Sequence, residues 1–132
     1  MTIRLIRSPA LFSGVPYAYA SAGGPAGLVF TAGACPLNAD GEVVAPGDVR
    51  AQARQCASNL TEALSAAGSD LGHVLKTTVY VASAERADLV AAWDVISSEF
   101  GVHDAPSTLL GVTVLGWPGQ LVEIEAVALP GS

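Results

Sequence analysis

Apolar and polar positions along the 132-residue chain alternate in some stretches and recur every three or four residues in others. The first period marks strands and the second marks helices. "YAYASAGG" and "GLVFTAGACPL" read as two strands, joined through Gly23, Gly24, Pro25, Ala26 and Gly27, a run suited to a hairpin connection. "NADGEVV" puts Asp40 and Gly41 at a turn before a short strand. The next segment, "DVRAQARQCASNLTEALSAAG", has helical spacing. Val49, Ala53, Cys56, Leu60, Ala63, Leu64 and Ala67 form one apolar stripe, with Asp48 as N-cap and Gly68 just past the end. Cys56 lies inside that stripe as a small core hydrophobe. "VLKTTVYVA" is rich in β-branched residues and predicts a central strand. A second helix runs from a Ser83 cap to about Phe100, with Leu89, Trp93, Ile96 and Phe100 along one face and Gly101 closing it. Strands over residues 108–115 and 121–129, joined by the turn "GWPGQ", end the chain. The order ββ(β)αβαββ, in a single domain over residues 1–132, predicts an α+β fold with both helices packed on one face of a mixed sheet. Such a sheet leaves its other face in need of a partner.

Composition strengthens the expectation of a partner. The chain is 51% hydrophobic and 14% charged, against a usual charged share of about a quarter. That is more apolar surface than one small domain hides, and an oligomer is the simplest way to bury it. Six Lys and Arg face twelve Asp and Glu, and the cations Arg4, Arg7, Arg50, Arg54, Lys76 and Arg86 form no run. Nucleic-acid binding needs a basic stripe, so no nucleic-acid partner is expected. Cys35 and Cys56 make neither a disulfide framework nor a CxxC pair. With no signal-peptide pattern and no apolar run of membrane length, the expectation is a cytoplasmic protein without membrane contact. His73 and His103 lack metal-ligand spacing, so neither a metal nor a cofactor is expected.

The stretch "APSTLLGV" carries the first chemical hint. Pro106 followed by the short side chains of Ser107 and Thr108 leaves room at the head of a strand, as at the edge of a pocket. In "LVEIEAVAL", Glu123 and Glu125 alternate with apolar residues, so both carboxylates leave the same sheet face roughly 7 Å apart. Periodicity alone reads this as a polar outer face. Cys35 lies two residues beyond Gly33 and on the same side of its strand. A nucleophilic cysteine needs a base or a positive neighbourhood, and no histidine or cation lies near it in sequence. An apolar, pocket-lining role is expected for it instead.

"GVPYAYASAGG", "VFTAGACPLNADGEVV", the long "DVRAQ…TTVYV" segment and "LVEIEAVAL", in this order and spacing, resemble the Rid family of reactive-intermediate deaminases, also called YjgF-like. The resemblance runs over residues 17–129. It implies a chorismate-mutase-like α+β fold and a homotrimer with three inter-subunit clefts. It also implies hydrolysis of short-lived enamines and imines, such as 2-aminoacrylate, to a ketone and ammonia. By this resemblance Tyr17 of "PY" lines the cleft, and the Gly33 N–H holds the substrate carboxylate. Glu123 positions the attacking water. The chain departs from the family pattern twice. Ala32 stands where a serine is common, and Ser107 stands where the deaminase branch has an arginine that clamps the substrate carboxylate. An arginine fork grips a carboxylate with charge-assisted bonds of about 1.5–3 kcal/mol, whereas a serine hydroxyl offers one neutral bond of about 1 kcal/mol. The implied pocket therefore suits a neutral or larger ligand, held by apolar contact, the Gly33 N–H and the hydroxyls of Tyr17, Ser107 and Thr108. The resulting expectation is a hydrolase of an enamine or imine whose carboxylate is absent or not clamped. A trimeric small-molecule-binding protein without turnover is the alternative. Ribonuclease or translation-inhibitor activity is a third reading, which the acidic charge opposes.

Overall fold

The computed structural model describes residues 2–131. In chain order its elements are β1 (Arg4–Ile6), β2 (Ala20–Gly23), β3 (Leu28–Thr31), α1 (Val49–Ala66), β4 (Val74–Val81), α2 (Arg86–Phe100), β5 (Ser107–Gly111) and β6 (Val122–Ala128). The six strands form one sheet in the order β1-β2-β3-β6-β4-β5. β4 and β5 run parallel on either side of α2, and the other neighbouring pairs are antiparallel. This is the expected mixed α+β architecture.

The helix α1 begins where the Asp48 carboxylate accepts a hydrogen bond from the Ala51 N–H at 3.0 Å. It ends before Gly68, whose φ of +80° a residue without Cβ adopts freely. Ala53, Cys56, Leu60 and Leu64 on its apolar stripe are fully buried. They pack with Ala92 and Ile96 of α2 and with Val79, Val81, Val122 and Ile124 of the sheet. Each large aliphatic side chain buried there contributes about 1.5–3 kcal/mol. The pleat divides β6 cleanly: Val122, Ile124, Ala126 and Ala128 are buried, while Glu123, Glu125 and Val127 between them are only half-buried. Both helices thus cover one face of the sheet. On the other, Phe30 and Leu110 remain 50% and 43% exposed.

Three expectations about elements change, and one strand is added. β1 pairs with β2 through only three residues, too few for a period to show in the sequence. The short strand after Asp40 and Gly41 reduces to an isolated bridge between Leu37 and Val43. β5 ends at Gly111 instead of residue 115, because it bonds only to β4 and β4 ends at Val81, opposite Gly111. The helix α2 starts at Arg86 with Glu85 at its N-cap. Ser83 sits before it, accepting from the Glu85 N–H at 3.0 Å and donating to Asp88 Oδ2 at 2.7 Å.

Candidate functional site

Beyond the end of β3, the backbone continues through Ala32, Gly33 and Ala34 beside β6, where Ala34 and Ile124 exchange backbone hydrogen bonds of 2.7 and 3.2 Å. This brings Gly33 against the side chain of Glu123. A Cβ added to Gly33 would stand 2.8 Å from Glu123 Cγ and nearer still to the carboxylate. Only glycine lets the glutamate lie over the backbone in this way. Around the pair is a hollow of about 300 Å³, lined by Tyr17, Ala32, Gly33, Cys35, Gly116, Trp117 and Glu123. Five residues singled out in the sequence, Tyr17, Ala32, Gly33, Cys35 and Glu123, therefore meet in one place.

Helix α1 holds the two loops that form the walls of the hollow. Asn59 donates to the carbonyls of Cys35 and Leu37 at 2.8 and 2.9 Å. Gln52, fully buried, donates to Gly119 O at 3.1 Å and accepts from the Leu121 N–H at 2.7 Å. The second loop turns through Trp117, Pro118, Gly119 and Gln120, closed by a 3.0 Å bond from the Gln120 N–H to Trp117 O. Gly119 has a φ of +78°, as the third residue of a type II turn requires. That turn brings Trp117 over the hollow.

The groups around Glu123 are neutral donors. Cys35 Sγ donates to Glu123 Oε1 at 3.3 Å, and Gln120 Nε2 donates to the same oxygen at 3.0 Å. Burial and the adjacent carboxylate push the Cys35 thiol up to about 12, so near neutral pH it is a hydrogen-bond donor and not a thiolate. Burial, followed by the charge at Cys35, likewise pushes the Tyr17 phenol up to about 12. The ring of Tyr17 meets Tyr19 edge to face at 5.9 Å. Glu125 has a different role: it accepts a short hydrogen bond from the Tyr80 phenol, which raises Tyr80 to about 12.

Ser107 and Thr108 do not join this group within the chain. Ser107 pairs with Thr77, and their hydroxyls are hydrogen-bonded. Thr77 is buried in phase with Val79 and Val81, so Ser107 turns toward the helix side. There it borders a separate hollow of about 140 Å³ with Trp93, Phe100, His103 and Asp104. The expectation of a Ser107 hydroxyl on the face of Glu123 is thus corrected by the phase of the pleat. Thr108 holds the place at the strand head on the open face, opposite Thr78. Its Oγ1 accepts from Lys76 Nζ at 2.8 Å. Lys76, Trp117 and Gln120 are the residues that sequence reasoning did not single out. The "WPG" stretch signalled a turn, but nothing local shows that it folds back onto β6.

The sequence profile of the endoribonuclease L-PSP family matches residues 12–130. The chain belongs to that family. It is 34% identical over 105 residues to the 2-iminobutanoate/2-iminopropanoate deaminase of Escherichia coli, covering 77% of this chain and 79% of the relative. YyfA of Yersinia pestis, described as a protein of unknown function of the Rid family, superposes with a TM-score of 0.84 at 28% identity, over 97% of this chain and 99% of that one. TdcF of E. coli, solved with bound serine, superposes with a TM-score of 0.82 at 26% identity, over 97% and 99% of the two chains. The Rid resemblance read from the sequence therefore holds.

Proposed function

We propose that the chain is a Rid-type hydrolase that converts a reactive enamine or imine to a carbonyl compound and ammonia, in clefts between the subunits of a homotrimer. One observation carries the reading: the Glu123 carboxylate, fixed over Gly33, forms a wall of a hollow otherwise lined by aromatic and small side chains. Water adds to the imine carbon as Glu123 takes its proton. The electrophile is the protonated imine, and the proton held by Glu123 passes to the nitrogen of the carbinolamine. The C–N bond breaks, ammonia leaves with the electron pair, and the hydroxyl oxygen gives up its proton as the carbonyl forms. An enamine enters the same route after protonation at carbon. No backbone hydrogen bond among the described residues uses the Gly33 N–H, which leaves it free to orient the substrate.

The lining of the hollow includes no cation, which favours an imine without a carboxylate. Lys76 supports a second reading. Its ammonium lies on the open face at the head of β5, without a carboxylate within ion-pair distance among the described residues. A trimer that sets this strand head against a neighbour's Glu123 would give a carboxylate a point charge to bind, weaker in orientation than an arginine fork. An RNA substrate is disfavoured by six cations against twelve acids.

Ammonia release from imines made in situ by an amine oxidase and by an amino-acid oxidase tests both readings. Acceleration confined to carboxylate-free imines supports the first. Acceleration of the amino-acid imines that is lost in Lys76→Met supports the second. Tight binding of a small metabolite without any acceleration would replace both with a binding protein.

A further inference from the structure

The two oxygens of Glu123 have different surroundings. Oε1 accepts from Gln120 Nε2 at 3.0 Å and from Cys35 Sγ at 3.3 Å. Oε2 is the atom nearest to where a Gly33 Cβ would stand, and it takes no hydrogen bond from a described residue. Gln120 is itself fixed: its Nε2 also donates to Val122 O at 3.0 Å, and its Oε1 accepts from the Trp117 N–H at 3.2 Å. Turning this amide over would set its oxygen against two acceptors and its nitrogen against a donor, so its orientation is determined by the network. Only 4% of Gln120 is exposed, and Cys35 is 8% exposed, so little water competes with either bond.

We propose that Gln120 and Cys35 are positioning residues, which hold Glu123 by Oε1 and leave Oε2 as the oxygen that handles water. The proposal rests on the reading of Glu123 as the residue that activates water. A carboxylate free to rotate would spend much of its time with neither oxygen aimed into the hollow. Two donors on one oxygen remove that freedom before the substrate arrives. The Cys35 proton serves as a hydrogen-bond donor here. No sulfur chemistry is involved.

The test combines turnover with a spectroscopic readout that needs no substrate. With an amine-oxidase-generated imine, Gln120→Met and Cys35→Ala are each expected to lower kcat by about tenfold or more while KM moves less than about threefold. Cys35→Ser keeps a donor and is expected to recover most of the Cys35→Ala loss. A packing role alone would instead give the serine and alanine variants the same rate. Full kcat in Cys35→Ala, or equal rates in the alanine and serine variants, overturns the proposal whether or not Gln120→Met folds. Should the wild-type protein hydrolyse no imine, the proposed function fails, and the clamp is judged by infrared spectroscopy. The S–H stretch missing from Cys35→Ser is expected at low frequency in the wild type, where the thiol meets the Glu123 carboxylate at 3.3 Å. It is expected at higher frequency in Glu123→Ala, where the acceptor left to it is Gly33 O at 3.6 Å. The band of Cys56, whose thiol points at Val122 O at 3.4 Å, serves as internal reference. A Cys35 band unmoved by Glu123→Ala overturns the clamp independently of activity.

Discussion

Gly33 shows how little local sequence is needed to specify this site, and how much depends on what crosses it. Its missing Cβ leaves the volume that the Glu123 carboxylate fills. Gly33→Ala should fold, since the obstacle is one movable side chain, but should push Glu123 off its position. The expected result is at least a tenfold loss of imine hydrolysis with Tm within a few degrees of wild type, read by kinetics and calorimetry. Cys35 offers a pH test. Its thiol loses its proton near 9.0 in an unfolded chain and at about 12 in the folded one. The folded state therefore binds the proton more tightly, and the stability tied to it is complete below pH 9 and lost as pH rises toward 12. Tm should fall across that window, less steeply in Cys35→Ser, and iodoacetamide should label Cys35 negligibly at pH 7.5. Rapid labelling at neutral pH would contradict the buried, hydrogen-bonded thiol. Alternation placed Cys35 on the side of Gly33, whereas Glu123 was legible only through the family resemblance, since alternation alone reads it as outer-face polarity. Ser107 was assigned to the pocket by the resemblance, which carries no information on the phase of β5, and in the structure it faces the helix side. Its bond to Thr77 is a pairing between strands that no local pattern reveals.

At the scale of elements, the helices were legible because a 3.6-residue period persists over eighteen and fifteen residues. The boundary of β5 was not, because it depends on where β4 ends, and β1 was not, because three residues are too few to show a period. Helix α1 does more than cover the sheet. Gln52 and Asn59, polar positions at its margin, tie down the Trp117–Gln120 turn and the segment after β3. Gln52→Leu keeps the volume but leaves the Leu121 N–H and Gly119 O without their partner. It should cost about 2 kcal/mol or more, read as a lower midpoint in urea. No change in midpoint would show that solvent satisfies those groups and that Gln52 does not secure the turn.

The whole molecule has one covered sheet face and one open one. Phe30, Thr78, Tyr80, Thr108, Leu110 and Glu125 lie on the open side, and the half-exposed Phe30 and Leu110 are apolar surface that an assembly would bury. Phe30→Asp should shift the proposed homotrimer to monomer in analytical ultracentrifugation while leaving the far-ultraviolet circular dichroism spectrum unchanged. A protein that is monomeric without the mutation would rule out the proposed cleft between subunits. The expectation of a partner came from composition and from the one-sided placement of the helices, and the structure shows the one-sided placement. The separation of Thr108 and Lys76 from Glu123 within one chain was not legible, because it depends on pairing: Lys76 stands opposite Val127, four residues along β6 from Glu123, and Thr108 lies beyond β4, opposite Thr78.

The central claim is that Glu123 handles the water that attacks an imine, and one comparison tests it most directly. Ammonia release from imines generated by an amine oxidase would be measured with wild-type protein and with Glu123→Gln, both shown to have the same assembly state. The account predicts acceleration over the uncatalysed rate with wild type and none with Glu123→Gln. Equal acceleration by the two proteins would contradict it.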